Sequence, residues 1–404
     1  MPYDIMSMPD YFQDRSSVFA DESVLAEEYT PAKLPEREAE LTELGAALSP
    51  GLGTGTPHDV FLQGKTGQGK TAAARFILKE FEAKANEQDV DLTTIFHTCA
   101  GQASSYQVVC NLVEQQTGEN PNGHPKRKAF DYFYALLNDI GGTIILVLDE
   151  VDAIGQNDLL LYELSRAKDN DHIEDTVDVS MIGISNDGNF LAELSPKVKD
   201  SFRERRVMFD AYDAIQLQSI LNRRVEKAFV DGVVADSAIA LCAGYAANDQ
   251  GSARQAIDYL YEAGEIALQQ GDTQVTDAHA EQAEERVDRR SVMRSIEGLT
   301  LQDHLALLAL VTLASRGETP ARTRRVYATY QDVCTELDTN DISLDRVRDH
   351  LKELDMLGVT KHATRTAGSE GGRKYFWELN TDLGATIEVL DSIDRLEGVV
   401  QLVQ

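Results

Sequence analysis

The chain has 404 residues, 42% of them hydrophobic, with 68 acidic against 38 basic side chains and a formal net charge of −30. That length exceeds what one hydrophobic core usually organises, so two or three domains are expected; with no run of roughly 18 apolar residues and no signal-peptide pattern, a soluble cytoplasmic protein is expected. The acidity is dispersed and lysine is scarce, 14 Lys beside 24 Arg; this reads as adaptation to a cytoplasm at molar salt, where the Debye length is about 3 Å, and so does not exclude a nucleic-acid partner.

Residues 1–28 are polar with scattered aromatics (Tyr3, Tyr11, Phe12, Phe19) and read as an N-terminal arm that packs only in part. After Pro31 and Pro35, Leu41, Leu44 and Leu48 fall at helical spacing over 36–48. A Gly- and Pro-rich loop, 49–57, leads into the apolar strand Val60-Phe61-Leu62 and then Gly64-Lys65-Thr66-Gly67-Gln68-Gly69-Lys70-Thr71. A glycine-rich turn between strand and helix gathers backbone N–H groups and the positive end of a helix dipole at one point, which is a phosphate site. Around Gln68, the glycines Gly64, Gly67 and Gly69 let the backbone approach the anion, Lys70 reaches the outer phosphates and Thr71 offers a hydroxyl to Mg²⁺.

A helix over 71–85, a strand over 93–99, a short amphipathic helix over 106–116 and a helix over 128–138 follow. The run Ile144-Ile145-Leu146-Val147-Leu148-Asp149-Glu150 is a strand buried on both faces that ends in two carboxylates. Asp149 is placed to hold Mg²⁺ through water, and Glu150 to orient the water that attacks a γ-phosphate. At the tip of the strand 179–184, Asn186 either touches the same phosphate or serves an Asx turn. With a last strand at 207–209, residues 58–209 form a doubly wound α/β domain with a parallel sheet. The cysteines Cys99, Cys110, Cys242 and Cys334 make no Cys-x-x-Cys pair and read as buried thiols.

From Asp213 the pattern turns to helices only: 215–229, 237–248, 251–270 and 276–288. Arg254 sits in the first turn of the third, against the helix dipole, which suits either an external anion or a solvated side chain. The very apolar helix 299–315, helices over 323–335 and 343–354, and strands at 359–363 and 375–379 make a winged helix. If it binds DNA, the third helix offers Arg346, Arg348, His350 and Lys352 to the major groove. The wing then offers Arg365, Thr366, Gly368, Gly371, Gly372, Arg373 and Lys374 to phosphates; protein contact is the other use of such a fold. Arg322, Arg324 and Arg325 form a further basic cluster.

The order of these features resembles the archaeal origin-recognition and replication-initiator family of AAA+ ATPases, relatives of the largest subunit of the eukaryotic origin recognition complex. The likeness rests on 64–71, Leu-Asp-Glu-Val-Asp at 148–152, Ile-Ser-Asn-Asp at 184–187, Gly-Ser-Ala-Arg-Gln-Ala at 251–256, Leu-Tyr-x-Leu-x-Arg at 161–166 and Val-Tyr-x-x-Tyr at 326–330. It implies an ATP/ADP site with Mg²⁺, in which Lys70 and Thr71 bind phosphate and metal, Asp149 and Glu150 form the Walker B pair, Asn186 is sensor 1 and Arg254 is sensor 2. Tyr212 and Arg224 fall where the family has nucleotide-contacting lid residues, and the helix at 106–116 where it carries a helix that grips DNA. Glu36 stands where family members often have His, so no adenine contact is assigned to it; Ser252 stands where they usually have Asp. A finger acting in trans is open among Arg203, Arg205 and Arg206. The implied organisation is an arm (1–28), an AAA+ core (29–212), a helical lid (213–290) and a winged helix (291–404). The implied function is a slow ATPase that binds double-stranded origin DNA and helps load an MCM-type replicative helicase, alone or with other copies. The alternatives are a nucleotide-switched transcription regulator and a branch-migration motor.

Overall fold

In the computed structural model the described residues are 15–26, 29–53, 55–155, 158–201, 205–366, 373–393 and 396. They divide into two compact units, 1–281 and 282–404.

In the first unit, helix α1 (Glu38–Leu48) precedes strand β1 (Val60–Gln63), helix α2 (Lys70–Glu87), strand β2 (Leu92–Thr98), and helices α3 (Ser105–Thr117) and α4 (Lys126–Ile140). Strand β3 (Thr143–Asp149), helix α5 (Leu159–Arg166), strand β4 (Asp178–Ser185), the short helices α6 (Phe190–Glu193) and α7 (Pro196–Ser201), and strand β5 (Arg205–Met208) complete the α/β part. The sheet is parallel with strand order β2-β3-β4-β1-β5, so β1 and β3 lie on either side of β4. Alternate residues feed two cores. Phe61, Ile144, Leu146 and Leu148 pack with α3, α4 and α5, while Val60, Leu62, Ile145, Val147, Ile182 and Ile184 pack with α1 and α2. Cover on both faces is why β3 has no polar residue between Thr143 and Asp149.

The helical part follows as α8 (Ala214–Ala228), α9 (Asp236–Asp249), α10 (Ala253–Gln270) and the start of α11 (Asp277–Glu297), a helix within which the division at 281/282 falls. Asp213 and Gln216 close α8 with a reciprocal capping box. Residues 15–26 pack onto this bundle more firmly than the polar sequence suggests. Phe19 bridges to Phe229 through the backbone and packs its ring at a tilt against Phe229 and Tyr261, at 4.9 and 5.7 Å between ring centroids, while Arg15 pairs with Glu22 and Glu265. Phe19→Ala should therefore lower stability by about 3 kcal/mol, a size set by removal of a buried aromatic ring, and chemical denaturation would measure it. An unchanged midpoint would mean that the arm is not part of the fold.

The second unit is built on α12 (Leu301–Ser315), buried from Asp303 to Leu313. Around it lie strand β6 (Ala321–Arg322), helices α13 (Thr323–Glu336) and α14 (Leu344–Met356), strands β7 (Thr360–Thr366) and β8 (Arg373–Leu379), and helix α15 (Leu383–Asp391). The sheet has the order β6-β8-β7 and is antiparallel. Trp377 on β8 is fully buried and donates to the Thr323 hydroxyl at 2.9 Å, fixing the hairpin to the start of α13. Among the described residues no helix is long and apolar enough to cross a membrane, and all four cysteines are buried and free.

Candidate nucleotide site and nucleic-acid interface

The phosphate loop leaves β1 at Gln63 and enters α2 at Lys70, at the C-terminal edge of the sheet where ligands of such folds bind. Gly67 and Gly69 have φ of 77° and 84°, in the left-handed region that disfavours a Cβ. Space makes the same demand. A Cβ on Gly67 would sit 1.9 Å from the Ser252 hydroxyl, and one on Gly69 2.9 Å from the Tyr212 hydroxyl. The loop is thus pressed by the start of α10 and by Tyr212 in the segment 209–213 that links the α/β part to the helical part, and Ala253 N–H donates to the Gly67 carbonyl at 2.9 Å.

Lys70 is the hub. It is 5% exposed, and its Nζ donates to the Gly64 and Lys65 carbonyls and to Asn186 Oδ1, at 2.7, 2.7 and 2.8 Å. Burial lowers its pKa to about 8, while Asp149 and Asp152 act against that fall. Thr71 donates to Asp149 Oδ2 at 2.9 Å. A hydroxyl and a carboxylate side by side are hard oxygen donors that fit Mg²⁺, which takes few protein ligands, adds phosphate oxygens and keeps waters.

Glu150 has φ 54° and ψ 42°, a costly conformation for a residue with a Cβ, at the turn from β3 into a short 3-10 helix. Burial raises the carboxyl pKa of both Asp149 and Glu150, and for Glu150 the neighbouring Asp149 and Asp152 raise it further. Asn186 N–H donates to Asp152 Oδ1 at 3.2 Å, tying the tip of β4 to the turn after β3. Direct bonds thus pair Lys70 with Asn186 and Thr71 with Asp149, from adjacent residues at the start of α2. Arg254 is exposed on the first turn of α10 beside the loop, its Cβ 3.4 Å from where a Gly67 Cβ would stand. Ser252 accepts from Gln255 N–H at 3.2 Å and so caps α10, as the acid expected there would.

A cavity of about 330 Å³ opens beside Gly69 and Ala72, lined among others by Tyr29, Pro31, Leu34, Tyr212, Arg224 and Ile257. Its size and apolar walls suit a purine base. Arg224 stands in its wall, but its guanidinium is engaged by the N-terminal segment, donating to the Val24 carbonyl at 2.5 Å and lying over the Tyr29 ring at 4.4 Å. Tyr212 is buried beneath the guanidinium of Arg37, 3.8 Å from its ring centre. Arg37 itself was not among the expected site residues. It stands at the start of the helical run 36–48, on no apolar position of it, and the family comparison draws attention to its neighbour Glu36.

The candidate DNA residues are less uniform. On α14 Arg346 is exposed, whereas Arg348 pairs with Asp345 at 3.0 Å and Lys352 with Asp349 at 2.9 Å. His350 does not belong with them: its Nδ1 meets the buried Asp303 at 2.6 Å, because a residue three after Val347 and one before Leu351 turns toward the core. In the wing Arg365 pairs in register with Lys374, and Thr366 with Arg373. Gly368, Gly371, Gly372 and Arg203 lie outside the described residues; Arg205 and Arg206 are exposed on the edge strand β5. The outer face of α3 carries Gln107, Glu114, Gln115 and Gln116 and no cation. The basic group nearby is Lys126-Arg127-Lys128, exposed in the first turn of α4, after a loop in which Tyr106 Oη donates to the His124 carbonyl at 2.9 Å. Cations oppose the dipole at that end of a helix, so the sequence pattern starts the helix too late and misses the cluster.

Residues 58–186, 218–285 and 294–389 match family models described as an AAA domain, a Cdc6 AAA+ ATPase-type lid domain and a CDC6 C-terminal winged helix domain. The chain is 38% identical over 401 residues to ORC1-type DNA replication protein 11 of Haloarcula marismortui, covering 97% of this chain and 96% of that one. It is 37% identical over 404 residues to ORC1-type DNA replication protein 10 of Halobacterium salinarum, covering 98% and 97%. Among solved structures, the Aeropyrum pernix ORC1 protein in complex with DNA is similar with a TM-score of 0.82 and 33% identity, over 96% of this chain and 99% of that one.

Proposed function

We propose, for a chain that belongs to the ORC1/Cdc6-type family of AAA+ DNA replication proteins, a nucleotide-switched replication initiator. It binds ATP and ADP at the phosphate loop, grips double-stranded origin DNA and promotes loading of the MCM-type replicative helicase. The observation that carries the reading is the Lys70 hub, which joins the phosphate loop to Asn186 beside the Thr71–Asp149 pair, in a chain whose other unit is a winged helix.

In this reading the base lies in the cavity against Tyr212, and the loop N–H groups and Lys70 take the phosphates. Thr71 and Asp149 would hold Mg²⁺, which when bound would supply charge neutralisation to the phosphates. Glu150 orients the attacking water, and Asn186 and Arg254 sense the terminal phosphate from the core and the lid. Turnover is slow, because a lid arginine engaged with ATP in cis holds a state and does not drive a motor. A finger acting in trans on a neighbouring copy is one of Arg203, Arg205 and Arg206.

For DNA, support comes from the Aeropyrum pernix ORC1 protein, whose structure is of a complex with DNA. Arg346, Arg348 and Lys352 on α14 read the major groove, Arg365, Arg373 and Lys374 in the wing hold phosphate, and Lys126-Arg127-Lys128 adds a basic patch on the ATPase unit. The acidic partners Asp345 and Asp349 give way to phosphate at little cost, because exposed pairs contribute little at molar salt.

Equilibrium binding of the full chain to genomic duplex fragments at about 2 M KCl tests this. Retention is expected, and Arg346→Ala should weaken it by about tenfold or more, the usual cost of losing a base contact. Absence of duplex binding at every salt concentration would refute the reading.

A further inference from the structure

Arg37 is 3% exposed and enters the molecule just after Glu36, whose φ of 67° is a strained left-handed turn. Its guanidinium works in three directions. Nε donates to the Gln68 carbonyl of the phosphate loop at 3.2 Å, Nη2 donates to the Asp210 carbonyl of the core-to-lid hinge at 2.6 Å, and Nη1 pairs with Glu40 at 2.7 Å. Its plane lies over the rings of Tyr212 and Phe209, 3.8 and 5.2 Å from their centres. A buried cation held this completely is either a packing device or a means of setting the geometry of what it touches.

The Gln68–Gly69 peptide favours the second. It is trans, and in a trans peptide the C=O and the N–H point in opposite directions. Arg37 holds the carbonyl of Gln68, so the N–H of Gly69 points away from Arg37, free to meet the phosphate that the proposed nucleotide would bring to the loop. A cationic donor on the carbonyl also polarises the peptide and strengthens its N–H as a donor. Because Glu40 offsets the charge, the contribution is direction and polarisation, with little long-range attraction. The same guanidinium holds Asp210 and Tyr212, so the aim of the loop is tied to the hinge on which α8–α10 are carried.

We propose that Arg37 is a positioning residue for nucleotide phosphate, aiming the Gly69 N–H through the Gln68 carbonyl and linking that aim to the lid hinge. This rests on the reading of 64–71 as a nucleotide phosphate site. Lysine keeps the charge and the stem but has one head, so it can satisfy one carbonyl and cannot lie flat on Tyr212.

The test is titration of ATP, ADP and adenosine into wild type, Arg37→Lys and Lys70→Ala, each melted without nucleotide. Arg37→Lys should remain folded and bind ATP and ADP about tenfold more weakly, as loss of an aimed charge-assisted donor would cause, with a clearly smaller loss for adenosine, which meets Tyr212 but not the loop N–H groups. Equal loss for all three ligands, or no loss for ATP and ADP, would overturn the proposal. If Arg37→Lys does not fold, Arg37→Ala with added ethylguanidinium serves instead: recovery of ADP binding with ethylguanidinium but not with ethylammonium supports the proposal. Failure of both variants to fold would make Arg37 a packing residue and overturn it. Failure of wild type to bind ATP, or ATP binding by Lys70→Ala equal to wild type, would instead refute the nucleotide-site reading itself.

Discussion

Lys70→Ala should abolish binding of ATP and ADP, with affinity reduced about a hundredfold or more in calorimetric titration. The ammonium is held by the Gly64 and Lys65 carbonyls and by Asn186, so it is in place before any ligand arrives and little ordering cost remains. Charge-assisted bonds to phosphate contribute roughly 1.5–3 kcal/mol each, which is the size of the expected loss. The fold should survive, because the substitution removes a cation that burial disfavours. Its depressed pKa of about 8 adds a pH dependence with a definite sign. Without ligand the lysine loses its proton as pH rises through 8, whereas phosphate binds the protonated form. ADP affinity should therefore fall about tenfold from pH 7.5 to 9, since the competent fraction falls by about that factor. Wild-type affinity in the variant would contradict the placement of phosphate at 64–71.

Glu150→Gln should keep ATP bound and lose hydrolysis, with the rate reduced about a hundredfold or more, the usual scale for loss of a group that orients or deprotonates a nucleophile. The amide has the size of the acid and leaves the turn at φ 54° intact. Removing one charge from beside Asp149 and Asp152 should leave ATP affinity equal or somewhat higher, because repulsion among those carboxylates already lifts the Glu150 pKa. Single-turnover release of phosphate measures the effect, and hydrolysis at the wild-type rate would remove Glu150 from the reaction.

Both predictions rest on residues that were legible in the sequence, and for a physical reason. A strand covered on both faces must be apolar throughout, so the carboxylates that end β3 stand out; a loop that cradles phosphate must repeat glycine at fixed offsets. The helical pattern from 213 to 270 and the winged helix were legible through the same periodicity. What escaped depends on partners far away in the chain. Phe19 looks like a stray aromatic until Phe229 and Tyr261 close around it. Arg37 looks like one more charge at the start of the helical run 36–48, and only the fold brings it to Gln68 and Asp210. His350 looks like a DNA contact when α14 is read as a list of basic residues, and its angular position relative to Val347 and Leu351 assigns it to Asp303. Strand β6 has two residues and no sequence signature of its own; it exists as the third partner of the β7–β8 hairpin.

The acidity is the remaining feature that the sequence raised. The relatives from Haloarcula marismortui and Halobacterium salinarum accord with the expectation that −30 is an adaptation to salt.

Genome-wide mapping of the duplex sites bound by the protein in its own cells tests the central claim most directly. An initiator predicts a small set of sites, built of inverted repeats beside an easily unwound element and coincident with the positions where replication starts. Sites confined to promoters, with replication starting elsewhere, would contradict it.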